Sequence, residues 1–317
     1  MSSYIINPTS NVAVIIRSAH ERTEALCLHL VKQQVPENNI VVIHERPFST
    51  ALRRSFEIGL DYGLDWTLCL DADILAGTSA IHKLVTHAES IQDKLFSVQG
   101  RMLDRLFNGY RFGGMHLYQT SRLDFALERT QITKEVLRPE TYVKEQMKAY
   151  GFHIAKSNDR LCLHDYHQYY RDIFRKGFVH SRKHFDKPEI LPIWRFLAQS
   201  DMEFVIAIEG WSIGKKFAEK IYIDIATLPR NIDHIFLKYN ISEKQDSIHP
   251  DETIDIDTYI TNGSPEYLAW LNHKKRLDVR LALRWQQGPV YFWPWLIGTT
   301  LRHILRPREA SKIKQRD

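Results

Sequence analysis

Apolar and polar positions alternate between two rhythms in the first half of this chain. Asn11 to Ile16 is a β-branched run that predicts a first buried strand. Arg17-Ser18-Ala19-His20-Glu21-Arg22 breaks it. Thr23 can then cap a helix whose apolar positions Ala25, Leu26, Leu28, Leu30 and Val31 share one face. Ile40 to Ile43 predicts a second strand, ending at His44-Glu45-Arg46-Pro47. Strand, helix and strand with short connections are the mark of a parallel α/β unit. A further helix runs from Ser49 or Thr50 to about Tyr62, with Gly63 closing it. Trp66-Thr67-Leu68-Cys69-Leu70 is apolar enough for a strand buried on both faces, and it runs straight into Asp71-Ala72-Asp73.

The rhythm continues with a helix from Ser79 to Glu89 and a strand at Phe96–Gly100. A turn at Asn108-Gly109 precedes the run Tyr110–Tyr118. Pro139-Glu140 opens a helix that Gly151 ends. Phe152–Ala155 and Arg160–Leu163 are two short strand candidates. After Lys187-Pro188-Glu189 the pattern changes. Leu191–Ala207, Ile213–Thr227 and Glu266–Trp285 read as helices, and Asn240–Asp257 as a polar, exposed loop. The expectation is an α/β fold, a mostly parallel sheet with helices on both faces, over residues 1–187. A mainly helical region follows over 188–317.

Composition adds limits. In 317 residues, hydrophobic content of 44% and charge of 26% suit a globular chain with a full core. A net charge of +5 is too weak to argue for nucleic acid, so no nucleic-acid partner is expected. Cys27, Cys69 and Cys162 lie far apart among apolar residues and form no C-x-x-C pair, which predicts buried thiols in a reducing compartment. No signal peptide is evident, and no apolar run approaches the ~20 residues that span a bilayer. A cytoplasmic location follows as the expectation.

The candidate chemistry gathers beyond the strand ends, where open α/β sheets place their ligands. Extended backbone sends alternate side chains to one side, so Asp71 and Asp73 can converge on a hard divalent cation. The alternative is that Asp71 ends the strand and Asp73 caps the next helix. Gly113-Gly114 permits close backbone approach to a ligand, or only a bend. Tyr166, Tyr169, Tyr170, Arg171, Arg175 and Lys176 form an aromatic and basic cluster. Pro289–Gly298 is aromatic and apolar, and basic residues follow it to Arg316. That suits peripheral contact with an anionic membrane face, or packing on the main body.

Taken in order, these pieces resemble the GT-A glycosyltransferases, specifically the inverting family-2 type that uses nucleotide-sugar donors. Four stretches carry the resemblance over residues 11–185. They are Val12–Ile16 with its loop, the D-x-D of Leu68–Asp73, the Gly-rich strand Gly113–Tyr118, and Glu140–Ile154 followed by His164. The chain differs from the family at Arg17–Arg22, where Thr-aromatic-Asn-Arg is usual, and at His44-Glu45-Arg46, where adjacent aspartates are usual. The resemblance implies a metal site of Asp71, Asp73 and His164, filled by Mn2+ or Mg2+. It implies Glu140 as catalytic base, with Glu145 as competitor. Donor contacts would come from Arg17, Glu21, Glu45, Arg54, Asp71, Gly113, Gly114 and Arg171. The implied reaction moves a sugar from a nucleotide diphosphate to a glycan or lipid-linked glycan acceptor, in surface polysaccharide assembly. Simpler roles stay open: Glu140 as a first-turn glutamate favoured by the helix dipole, and His164 as a histidine bonded at the sheet end. A sugar nucleotidyltransferase is an alternative, although the loop after the first strand lacks glycine. A catalytically inactive sugar-binding or membrane-assembly module is the non-enzymatic one.

Overall fold

The structure is a computed structural model that describes residues 9–91, 94–133, 136, 138–183, 190–217, 219, 221, 232–250, 254–286 and 297. Strands β1 (Val12–Arg17), β2 (Ile40–Ile43), β3 (Trp66–Asp71), β4 (Ile74–Ala76), β5 (Leu95–Asp104), β6 (Gly109–Gln119) and β7 (His153–His164) form one sheet. Its order is β2-β1-β3-β6-β5-β7-β4. β2, β1 and β3 are parallel, β6 runs antiparallel to both β3 and β5, and β5 and β7 are parallel again.

Period-two alternation explains how both faces are covered. Val12, Val14, Ile16, Leu68 and Leu70 pack with Leu26, Cys27 and Val31 of α1 (Glu24–Lys32) and with Ile81 and Leu84 of α3 (Ala80–Glu89). The alternate residues Ala13 and Ile15 meet Ala51 and Ile58 of α2 (Phe48–Tyr62). Cys69 joins Leu52, Phe56, and Val143 and Met147 of α5 (Pro139–Ala149) on that same face. Each fully buried Val, Leu or Ile contributes about 1.5–3 kcal/mol, so the all-buried β1 is a principal determinant of the sheet. All three cysteines are free and buried, as expected.

Several boundaries differ from expectation. Asp73 caps no helix; β4 follows it directly. Thr23 makes no side-chain cap, and its hydroxyl donates instead to the carbonyl of Ala72 (2.9 Å), tying α1 to the D-x-D turn. The two short strands after Gly151 are one, β7, continuous through the polar residues Lys156–Asp159 because β5 pairs along its length with register shifts. β5 likewise runs past Gly100 to Asp104. Helix α4 (Leu123–Arg129) was not anticipated.

The helices beyond also need correction. Leu191–Ala207 is not one helix but α7 (Ile190–Leu197) and the start of α8 (Met202–Lys216). Asp201 separates them, its carboxylate accepting from the Glu203 amide (2.9 Å). The expected helix Ile213–Thr227 leaves helical geometry at Phe217, and residues 222–227 lie outside the described residues. The stretch Asn240–Asp257 is not simply exposed: Ile248 and Ile256 are buried, and the Ile248 amide donates to the Arg22 carbonyl. It leads into α10 (Ile256–Asn262) and α11 (Pro265–Gln286), after α9 (Asp233–Tyr239). The break at residues 187–189 and the tail from 289 to 296 and 298 to 316 lie outside the described residues. No helix among the described residues is long and apolar enough to cross a membrane.

A second core forms where α6 (Tyr170–Lys183) meets α7, α8 and α9. Ile173 and Phe174 pack there with Trp194, Phe204, Trp211, Ile235 and Leu106. α6 and α8 touch backbone to backbone: a Cβ on Gly177 would sit 2.2 Å from the Ala207 carbonyl oxygen, and one on Gly210 would sit 2.1 Å from that of Phe174. Only glycine permits that approach. The contact fixes the rotation of α6, and with it the face that α6 turns to the sheet ends.

Candidate functional site

The ends of β1, β3 and β7, with α5 and α6, enclose a cleft of about 1040 Å3. That volume suits a ligand of nucleotide size or larger. Its charged walls fall into two clusters.

The first is built on Arg17. β1 and β3 are in register with Arg17 opposite Asp71, so the two side chains meet at the strand ends. Arg17 Nε donates to Asp71 Oδ1 (2.8 Å) and Nη1 donates to Glu140 Oε1 (2.9 Å). The guanidinium also lies over Phe48, 4.7 Å from the ring centre. Glu140 Oε2 lies 3.1 Å from His116 Nε2. Lys144 donates to His116 Nδ1 (2.6 Å) and to Gln99 Oε1 (2.9 Å). Those contacts assign a neutral His116 carrying its proton on Nε2. Burial agrees, holding its pKa at about 3 and that of Lys144 at about 8. Burial alone would raise the Glu140 carboxyl, but Arg17, His116 and Lys144 together hold it down at about 2. Arg17 Nη2 is buried without a hydrogen-bond partner among the described residues.

The second cluster is built on Asp73. Its Oδ2 accepts from Lys176 Nζ (2.5 Å) and lies 3.6 Å from His164 Nε2. The same lysine pairs with Asp165. His164 Nδ1 faces Asp104 Oδ2 (2.8 Å) and Asp165 Oδ2 (3.3 Å). Despite its burial, these carboxylates raise His164 to about 10. Asp104 is buried too, yet Arg111 and His164 hold it well below the usual carboxylate range. Asp73 Oδ1 and Asp165 Oδ2 are buried and make no hydrogen bond among the described residues. One ligand atom each from Asp73, His164 and Asp165 lies within 4.8 Å of the others. Unmatched buried carboxylate oxygens beside His164, which must shed one proton to ligate, fit a divalent cation by chemistry and by spacing.

The expected site residues are placed unequally. Arg17, Glu21, Glu45, Asp71, Asp73, Gly113, Gly114, Glu140 and His164 all line the cleft. Arg54 and Arg171 do not: Arg54 pairs with Glu57 (3.4 Å), and Arg171 lies over Tyr169 at the surface. Asp71 stands with Arg17 rather than in the Asp73–His164 trio, where Asp165 stands in its stead. Gly114 has φ +82°, and a Cβ there would lie 2.9 Å from Met102 Sδ, so the strand bends where only glycine fits. The Glu21 carboxyl, partly buried beside Asp73, is pushed up to about 7 by desolvation and that neighbour.

Sequence reasoning missed Asp104, Asp165, His116 and Lys144 as site residues. Asp165 directly follows the flagged histidine, and His116 lies inside the Gly-rich run. Asp104 was hidden because β5 extends four residues past its expected end. The aromatic and basic cluster divides by helix face: Arg175 and Lys176 reach the cleft, while Tyr170 packs against the second core. A separate group, His20, Glu24 and His44, lies outside the cleft lining.

No family profile and no curated protein sequence matches the chain. Solved structures give weak likenesses. One is a glycosyltransferase involved in glycosylation of the major capsid of PBCV-1, at 13% identity and a TM-score of 0.32, over 48% of this chain and 92% of that one. Another is a cytidylyltransferase from Leptospira borgpetersenii, at 10% identity and 0.33, over 47% and 76%. A third is a chain from Desulfovibrio desulfuricans assigned as a nucleotide-diphospho-sugar transferase, at 10% and 0.32, over 62% and 97%. Likeness at this level marks neither family nor activity.

Proposed function

We propose that this cleft binds a nucleotide-diphosphate sugar together with a divalent cation, and that the protein is an inverting glycosyltransferase acting on a glycan or lipid-linked glycan. One observation carries the reading: spare acceptors and a spare donor share one cleft. Among the described residues, Asp73 Oδ1 and Asp165 Oδ2 lack a donor, and Arg17 Nη2 lacks an acceptor. A diphosphate–cation complex supplies both. The ordered motifs that resemble the GT-A enzymes support the same reading.

In this reading Asp73, His164 and Asp165 hold the cation, with Asp71 alongside. When bound, a Mn2+ or Mg2+ ion there neutralises charge on the departing diphosphate. Arg17 takes a diphosphate oxygen through Nη2. Glu140, bonded to Arg17 through Oε1 and facing His116 with Oε2, positions Arg17 against Asp71. Glu145 lines the same wall, exposed and unpaired among the described residues, and is assigned the proton-accepting role. The acceptor oxygen forms a bond to the sugar C1 as the C1–O–phosphate bond breaks. The nucleoside diphosphate leaves with the bonding pair, and the hydroxyl proton passes to Glu145. Gly113 and Gly114 let the sugar approach the β6 backbone.

The test is a nucleotide panel followed by donor-hydrolysis assays with the nucleotide sugar that binds. Asp73→Asn should abolish metal-dependent nucleotide binding, and Glu145→Gln should leave binding intact while stopping transfer. Activity that makes a nucleotide sugar from a nucleoside triphosphate and a sugar phosphate would contradict the reading.

A further inference from the structure

The cation place in this cleft already has an occupant. Lys176 Nζ sits 2.5 Å from Asp73 Oδ2 and pairs with Asp165, the two carboxylates that also offer the unmatched oxygens. Its side chain is only 15% exposed, so this is not a solvated surface lysine that happens to lean inward. Its root is immobile. Ile173 and Phe174, three and two residues earlier, are locked in the second core, and Gly177 abuts the Ala207 backbone. The tail is not: four methylenes let Nζ withdraw while α6 stays in place.

A divalent cation would have to join Lys176 and His164, which already face these carboxylates. At contact distance the ammonium and the divalent ion repel about as strongly as each is attracted to one carboxylate. We propose that Lys176 is a resident counter-ion that competes with the divalent cation for Asp73 and Asp165, so that the ion enters tightly only when a diphosphate comes with it. The incoming phosphate oxygens then give the displaced ammonium a new anionic partner. Two consequences follow. The free protein keeps its buried carboxylates neutralised without metal, and divalent-cation affinity becomes coupled to nucleotide. This rests on the reading of the cleft as a diphosphate site, but the cation competition itself is measured without any nucleotide.

The experiment is Mn2+ binding followed by the loss of the free-ion paramagnetic resonance signal. Wild-type protein without nucleotide should bind only weakly, in the millimolar range. Lys176→Met should bind about tenfold tighter or better, because one competing charge is gone. Asp73→Asn in the Lys176→Met background should reverse the gain. Tight wild-type binding, or equal affinity in wild type and Lys176→Met, overturns the proposal. If Lys176→Met does not fold, it is refolded in Mn2+ and in EDTA. Recovery only with Mn2+ supports the proposal, since the ion takes over the lysine's place. Failure in both overturns it. The nucleotide panel reads the glycosyltransferase assignment separately.

Discussion

The two charged clusters of the cleft are made of the same materials and end in opposite deficits. Around Arg17, two carboxylates, a neutral histidine and a lysine are closely matched, leaving the guanidinium Nη2 without an acceptor among the described residues. Around Asp73, three carboxylates share a lysine, a histidine and Arg111, and two oxygens lack a donor among the described residues. Unpaired buried polar atoms are costly, about 1–3 kcal/mol each, and their persistence at one cleft calls for a ligand. The first cluster asks for an anion and the second for a cation. The difference also separates two aspartates that a D-x-D motif treats as equals. Asp71 is a structural anchor for Arg17, whereas Asp73 carries the open valence.

Substitutions in the two clusters should have unequal effects. The largest effect is expected for Glu145→Gln, which should lower kcat by about 10²- to 10⁴-fold with donor affinity unchanged, read by steady-state kinetics. Asp73→Asn comes next. It should abolish metal-dependent nucleotide binding in calorimetry, while Asp71→Asn weakens binding less and destabilises the fold more. Arg17→Met removes the hub of the first cluster and leaves Glu140 buried without its main partner. It should cost about 3–5 kcal/mol in denaturant unfolding. Loss of below about 1 kcal/mol would show that the cluster is not matched as described.

A pH series sharpens the contrast with a smaller effect. Lys144 loses its proton near pH 8, below its ordinary value, because it is buried. Above that pH, Glu140 loses one of its cations, so donor binding should decline. Stability should move the other way. A lysine whose folded pKa is depressed holds fewer protons folded than unfolded between about 8 and 10.5, so this group favours folding increasingly across that window. Wild type should therefore gain Tm relative to Lys144→Met as pH rises from about 8. Glu21 gives the smallest effect. Its carboxyl titrates near 7 and holds an extra proton in the folded state between its ordinary value of 4.5 and 7. That contribution is full below 4.5 and lost as pH rises through 7, so Glu21→Gln should be stabilising at pH 8 by no more than about 1 kcal/mol.

What the sequence made legible was local. The run Val12–Ile16 and the run Trp66–Asp71 declare themselves by length and composition, but the register that brings Arg17 to Asp71 is seen only once β1 and β3 pair. The Gly-rich bend and the Pro-Glu start of α5 are also local signals. The second cluster was only half legible, because its members are far apart in the chain. Asp73 and Lys176 are joined by the docking of α6 on α8, which depends on Gly177 and Gly210 and leaves no periodic trace near the lysine. Asp104 depends on how far β5 and β7 continue to pair, which is set by the partner strand. Arg54 and Arg171 illustrate the converse. A basic residue beside a strand end is easily read as a phosphate clamp, but helix rotation turns both to solvent.

On the proposed reading, the spare donor of one cluster and the spare acceptors of the other are filled together, by a diphosphate and a divalent cation. Calorimetric titration of nucleoside diphosphates into the full chain, with Mn2+ and with EDTA, tests it most directly. One nucleotide should bind with Mn2+ and lose most of its affinity in EDTA or on Asp73→Asn. Equal binding in Mn2+ and EDTA, or no binding by any nucleoside diphosphate, would contradict it.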